Sequence, residues 1–183
     1  MTNKITSIDN LKKIITKLKF KRKKIVLCHG VFDLLHFGHI KHFQEAKSLG
    51  DILIVSITSD KYVNKGSNRP AFKEQYRVES VAALDDIDFV VLNKNSTAVP
   101  VIRKLQPDIY CKGPDYKIHQ NDISGEIKNE INALKRIGGK IFHTGGVTFS
   151  SSNLLNRFSS IFSLEQKATM SKIKKKYSFP VIK

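Results

Sequence analysis

The chain alternates between two hydrophobic rhythms. The first is helical. After Ser7, a residue suited to capping a helix, Ile8, Leu11, Ile14, Ile15 and Leu18 recur at helical spacing with lysines between them, which predicts an amphipathic helix. "KKIVLCHG" (23–30) is a short apolar run closed by glycine and predicts a buried strand. The alternation then repeats. "HIKHFQEAKSLG" (39–50) reads as a helix with a glycine stop, "DILIVSIT" (51–58) as a second buried strand, "KEQYRVESVAAL" (73–84) as a helix and "DFVVL" (88–92) as a third strand. "AVPVIRKLQ" (98–106) is a short helix with Pro100 in its first turn, and "PDIYCKG" (107–113) holds a fourth strand. "GEIKNEINALKRIGG" (125–139) is a helix, "KIFHT" (140–144) a fifth strand, and "SSSNLLNRF" (150–158) opens a last helix. Strands alternating with helices build right-handed βαβ units on a parallel sheet. The expected fold is therefore α/β, a Rossmann-like doubly wound sheet of five parallel strands with flanking helices. It should occupy residues 1–160, N-terminal helix included, with a basic helical tail over 161–183.

Composition narrows this picture. The 183 residues fit one such domain, and 40% hydrophobic content fills a core. No run approaches the ~18 apolar residues of a spanning helix. At the start the apolar residues are interleaved with lysines instead of gathered into a secretion signal, so a cytoplasmic protein without membrane partners is expected. Cys28 and Cys111 both end apolar runs as buried strand residues, and two cysteines make no disulfide framework. The net charge of +16 is large, but much of it lies in "LKKIITKLKFKRKK" and "KIKKKYSFPVIK". That placement favours solvated segments over a groove shaped for nucleic acid.

Ligands of doubly wound sheets bind beyond the carboxyl ends of the strands, and the suggestive residues follow the strands. In "CHGVFDLLHFGHIKHF" (28–43) Gly30 permits a tight turn, and His36, Gly38 and His39 fall at the start of the next helix. Unpaired N–H groups and the positive dipole end attract phosphate there, and Gly38 allows a close approach to the backbone. Two imidazoles three residues apart can point the same way and hold a phosphate whose charge grows during displacement. His42 continues that spacing but is turned well round the helix from His36, with no carboxylate or cysteine to complete an obvious set, so no protein-held metal is expected. In "KGPDYK" (112–117) Lys112 can project into the same crevice, and Asp115 can orient a sugar hydroxyl or a lysine. "FSSSNLLN" (149–156) sets three serines at a helix N-terminus suited to the outer phosphates of a nucleotide. "NRPAFKEQYR" (68–77) supplies Arg69 and Arg77, which can reach across to phosphates. Singly, each stretch has a plain reading as a cap, a polar loop or a solvated face. Together they place phosphate-friendly groups after four strands of one sheet.

"GVFDLLHFGH" resembles the H-x-G-H motif of the cytidylyltransferase-like nucleotidyltransferases, and "NRPAFKEQYR", "KGPDYK" and "SSSNLL" fall in that family's order. The resemblance covers roughly residues 6 to 158 and is greatest to the heptose 1-phosphate adenylyltransferases, N-terminal helix included. It implies that a nucleoside triphosphate, ATP or CTP, binds with its α-phosphate near His36 and His39. A sugar phosphate attacks in line, pyrophosphate leaves without a covalent enzyme intermediate, and Mg²⁺ bridges the phosphates. It further implies that Lys41 and Lys112 neutralise phosphate charge, and that Arg77, Ser150, Ser151 and Ser152 hold the triphosphate. Asp33 would support the histidine loop, with Gly30, Phe32, Gly38, Gly113 and Asp115 also in the nucleotide site. Dimers are common among similar enzymes. The chain departs from the heptose branch at Gly113–Pro114, where that branch typically reads Gly-Gly. "HTGGVTFSSS" lacks the arginine that glycerol-phosphate cytidylyltransferases usually carry there, whereas Lys41 looks more like that second branch. ATP with a heptose 1-phosphate and CTP with an alditol phosphate both remain open. "TMSKIKKK" (169–176) looks like a class I aminoacyl-tRNA synthetase loop, but its first lysine is missing and the chain has no room for an anticodon-binding part. A basic nucleic-acid-binding module and a nucleotide sensor without turnover are the other readings. They are distinguished by steeply salt-dependent binding and by nucleotide binding without pyrophosphate release, respectively.

Overall fold

The computed structural model describes residues 4–64, 69–114 and 126–145. Five helices and five strands alternate along them. The helices are α1 (Ile8–Phe20), α2 (Phe37–Ser48), α3 (Glu74–Ala82), α4 (Val99–Leu105) and α5 (Ile127–Arg136), and the strands are β1 (Ile25–Gly30), β2 (Ile52–Thr58), β3 (Phe89–Asn93), β4 (Ile109–Lys112) and β5 (Lys140–His143). Every strand pairing is parallel, in the order β3-β2-β1-β4-β5. The expected doubly wound sheet is present. The last helix and the tail expected after residue 150 lie outside the described residues, as do Asp115, Ser150, Ser151 and Ser152.

The order explains where a site must lie. The chain winds outward through β1, β2 and β3, then returns by α4 to lay β4 on the other side of β1. Strand order reverses between β1 and β4, so a crevice opens at their carboxyl ends. Alternation along each strand decides which side chain meets which layer. Val26 and Cys28 of β1, Ile109 and Cys111 of β4, and Val55 and Ile57 of β2 face one side, packed with Phe43 and Ala46 of α2 and Val78 and Val81 of α3. Ile25, Leu27, Ile54 and Tyr110 face the other, against Leu11 and Ile15 of α1, Val101 and Ile102 of α4, and Ala133 and Leu134 of α5. Ser7 caps α1 as expected, its Oγ accepting from the Asn10 N–H at 3.2 Å. Ahead of α1, Val90 N–H donates to the Lys4 carbonyl and Thr6 N–H to the Val90 carbonyl, so Ile5 forms a parallel bridge along the outer side of β3. No described helix is long and apolar enough to cross a membrane.

Helix α2 begins at Phe37, two residues before the start expected from sequence. His36 is its N-cap in an extended conformation, and its own side chain makes no capping hydrogen bond. The Gly50 stop also has a different basis. The helix closes at Leu49, and a Cβ on Gly50 would lie 2.9 Å from the Lys24 carbonyl oxygen and 2.7 Å from Val26, so glycine is needed where the chain passes β1.

Candidate active site

The loop after β1 carries the histidines. Gly30 ends the strand, and the Phe32 ring folds back over it, 3.1 Å from where a Cβ would stand. Phe32 adopts φ +49°, a left-handed conformation that is costly for a bulky residue and is maintained here by packing. Its buried ring meets Phe43 at 5.0 Å and the edge of His39 at 5.3 Å. Phe32 therefore acts from below, as a wedge that sets the His39 ring; its side chain does not line the crevice. His36 and His39 stack with ring centroids 3.8 Å apart and planes 24° apart. The two imidazoles point the same way, as their three-residue spacing allows. An α-phosphate at this helix end would find the N–H groups of Phe37 and Gly38, the positive dipole end and two imidazoles.

Asp33 sits behind this loop, 4% exposed. One oxygen accepts from Phe72 N–H at 3.1 Å, and the other lies 2.8 Å from Arg69 Nε. Asp33 thus ties the approach to α3 onto the histidine loop and holds Arg69, whose side chain is only 12% exposed. Arg77 corrects an expectation. It is 1% exposed and its guanidinium faces inward. Nε donates to the Phe72 carbonyl at 3.0 Å, one terminal nitrogen to the Val31 carbonyl, and the other to the Thr58 carbonyl at 2.8 Å and Asp60 at 2.7 Å. With those groups engaged it braces the loops after β1 and β2 and does not reach a phosphate. Lys41 lies on the exposed side of α2, turned about 200° from His39 at 3.6 residues per turn. Its ammonium donates to Gln44 at 3.0 Å and stands 5.3 Å from the Phe37 ring.

Lys112, the last residue of β4, is the second correction. Residues two apart on a strand share a face, so Lys112 follows Tyr110 toward α5 and away from the histidines. Its ammonium donates to the Tyr110 hydroxyl at 3.1 Å and to Glu130 at 3.2 Å, and the hydroxyl donates to the same Glu130 oxygen at 2.8 Å. Glu130 also accepts from the Ala98 N–H at 3.0 Å. Gly113 and Pro114 follow the strand, and a Cβ on Gly113 would meet no described atom within 4 Å.

Sequence reasoning missed His29 and Glu130 on this side of the sheet, and Thr144 beside α2. The His29 ring lies between Ser56 (3.1 Å) and Thr58 (3.4 Å) on the Lys112 side of the sheet. Burial first, and Lys112 second, lower its pKa to about 4. His42, on α2, bonds Thr144 at 3.1 Å, and burial and Lys112 bring it to about 4 as well. For Glu130, burial alone would raise the pKa, but Lys112, His29, the Ala98 N–H and Tyr110 together hold it below the usual carboxylate value. All three shifts act with one sign. A histidine with a lowered folded pKa stabilises the protein fully above its unfolded value of 6.5, and the contribution is lost as pH falls from there toward 4. Glu130 adds a loss at still lower pH, as its own depressed pKa is passed. The urea midpoint is expected to fall between about pH 7 and pH 4. A flat midpoint over that range would contradict the neutral, buried state of these rings.

Comparisons with known proteins agree with this geometry. Residues 27–161 match the family model described as cytidylyltransferase-like. The Bifunctional protein HldE of Citrifermentans bemidjiense is 46% identical over 141 residues, 76% of this chain and 28% of that protein. The Bifunctional protein HldE of Campylobacter fetus is 36% identical over 156 residues, 84% of this chain and 31% of that one. The chain thus spans less than a third of the length of these relatives. Among solved structures, the lipopolysaccharide core biosynthesis protein of Thermoplasma volcanium is 30% identical with a TM-score of 0.58, covering 69% of this chain and 99% of that one. Pantoate-beta-alanine ligase of Francisella tularensis shares the fold at 20% identity and a TM-score of 0.54, covering 81% of this chain and 68% of that one. The stacked histidine pair at the strand-order reversal and a family match that runs through both sides of the crevice lead to one conclusion: the chain belongs to the cytidylyltransferase-like family.

Proposed function

We propose that this protein is a nucleotidyltransferase that moves a nucleoside monophosphate from a nucleoside triphosphate to a sugar phosphate, in the first instance AMP from ATP to heptose 1-phosphate. The observation that carries the reading is the stacked His36–His39 pair at the open N-terminus of α2. Similarity to the HldE proteins supports the heptose branch. An acceptor phosphate oxygen attacks the α-phosphorus in line, a new P–O bond forms, and the bond to the β-phosphate oxygen breaks as pyrophosphate leaves. His36, His39 and the first N–H groups of α2 bear the charge that builds on the α-phosphate oxygens. Lys41 adds positive potential at the same helix. Lys112, paired with Glu130, fixes the floor beside the crevice. Arg69, Gly113, Asp115 and the serines Ser150, Ser151 and Ser152 are assigned to the outer phosphates and the sugar.

Among the described residues no carboxylate cluster of the crevice suits a hard cation, and both Asp33 oxygens are engaged. Mg²⁺ would therefore be carried on the substrate's phosphates, where it neutralises charge and polarises phosphoryl oxygen. The reading extends to a cytoplasmic location, from the lysine-interleaved N-terminal stretch, and to a homodimer, as is common among similar enzymes.

The test is pyrophosphate release with ATP and CTP against heptose 1-phosphate, other sugar 1-phosphates and glycerol 3-phosphate. Turnover is expected with ATP and heptose 1-phosphate. Turnover with CTP and glycerol 3-phosphate alone would keep the chemistry and overturn the acceptor. Nucleotide binding without pyrophosphate from any acceptor would overturn the transferase reading.

A further inference from the structure

The two cysteines of the chain stand on neighbouring strands, and the register of β1 against β4 sets Cys28 directly beside Cys111. Both are fully buried and reduced, and alternation turns both toward α2. Helix α2 answers with His42, one turn beyond His39. One donor atom from each of Cys28, His42 and Cys111 lies within 4.8 Å of the other two. Donors bound to one zinc ion at ~2.0–2.3 Å stand roughly 3.3–3.8 Å apart, so a closure of about 1 Å, within reach of side-chain rotation, brings the three donors to zinc distance and leaves the fourth tetrahedral position to a water.

His42 Nδ1 lies 3.1 Å from the Thr144 hydroxyl, and in the tautomer that a metal would select Nδ1–H donates to that oxygen. That leaves the lone pair on Nε2. A metal-binding histidine is held in this way, by a second hydrogen bond through its other nitrogen. The charges also balance. Two thiolates and a neutral imidazole around a divalent ion sum to zero, which suits a site behind which Lys112 and Glu130 already neutralise each other.

We propose that Cys28, Cys111 and His42 form a binding site for a thiophilic cation, Zn²⁺ in the first instance, buried beneath the histidine pair. Sulfur donors exclude Mg²⁺ as the occupant, so the site is separate from any ion that travels with the nucleotide. Bound metal would pin the second turn of α2 to the carboxyl ends of β1 and β4. His39 lies three residues before His42 on that helix, so the ion would fix the height at which the stacked imidazoles stand.

Cobalt(II) tests this without reference to the transfer reaction. The full chain, reduced and stripped of metal with a chelator, is titrated with Co²⁺ and followed by absorption. About one equivalent should bind with a thiolate-to-cobalt charge-transfer band and tetrahedral d–d bands, all bleached by added Zn²⁺. The double substitution Cys28→Val and Cys111→Val suits strands and keeps the core apolar. It should fold, as read by circular dichroism, and lose the bands, and His42→Gln should weaken cobalt binding at least tenfold. Absence of the charge-transfer band in the wild-type chain would overturn the proposal. So would an undiminished band in the folded double variant, which would place the cation elsewhere. If the double variant does not fold, Cys111→Ser alone must lower the band's intensity, and an unchanged band again overturns the site. A transferase that fails the acceptor panel yet shows the cobalt spectrum would lose its proposed function and keep this site.

Discussion

Pyrophosphate release falls by about 10²–10⁴-fold when His39 is replaced by alanine, because the substitution removes a donor whose value lies in the charge of the transition state. The loss should appear in kcat, with nucleotide affinity changed much less, since the ground-state phosphates retain the helix N-terminus and their other partners. The fold should survive. Position 39 is in the first turn of α2, alanine suits a helix, and Phe32 still packs on Phe43. Circular dichroism and the urea midpoint serve as controls. A folded His39→Ala protein with wild-type kcat would remove the imidazole from the chemistry. Because His36 stacks on His39, the double variant should lose less than the product of the two single losses.

Arg77→Met is expected to act through stability, at about 3–5 kcal/mol, because three backbone carbonyls lose a charged donor at roughly 1–3 kcal/mol each, while Asp60, 35% exposed, is left to water. The side chain bridges Val31, Thr58, Asp60 and Phe72, which belong to three separate stretches of chain. Methionine fills the volume but leaves three carbonyls and a carboxylate without their donor. Lysine cannot replace the fork, because one ammonium does not span those acceptors, so Arg77→Lys should lose most of the same stability. A shift of the urea midpoint equivalent to less than ~1 kcal/mol would mean that the loops hold without the clamp. Since stability totals only about 5–15 kcal/mol for a domain, the variant should also be sensitive to proteolysis at temperatures the parent tolerates.

The contrast between His39 and Arg77 shows what could be read before any coordinates. Short apolar runs, four of them bounded by glycine, gave all five strands, and H-x-G-H after the first of them gave the histidine pair. Both signals are local: the period of hydrophobicity, and two side chains three residues apart at a helix start. The start of α2 was misjudged because His36 enters the helix with its backbone alone, without the serine or aspartate side chain that usually marks a cap. Arg77 and Lys112 were misjudged because charge suggests solvent, while orientation is decided by neighbours. The clue existed in both cases. Arg77 stands four residues before Val81, on the buried stripe of α3, and Lys112 stands two after Tyr110 on β4. Glu130 gave no such clue beyond a carboxylate on the apolar side of α5, and the pairing of Cys28 with Cys111 needs the order of the sheet, which joins strands some eighty residues apart.

The bridge at Ile5 gives the sheet two unlike borders. Along β3 the backbone groups of Val90 are already taken by Lys4 and Thr6, so a stray strand from another molecule finds that side closed. Along β5, within the described residues, no further strand is hydrogen-bonded, and a charged Lys140 stands at its exposed start. A parallel sheet buried on both faces can recruit foreign strands only at its margins, where unpaired backbone is a template for aggregation. A few residues ahead of the first helix therefore act as a selvedge. They close one margin where this sheet could grow, and removing Lys4–Thr6 would reopen it.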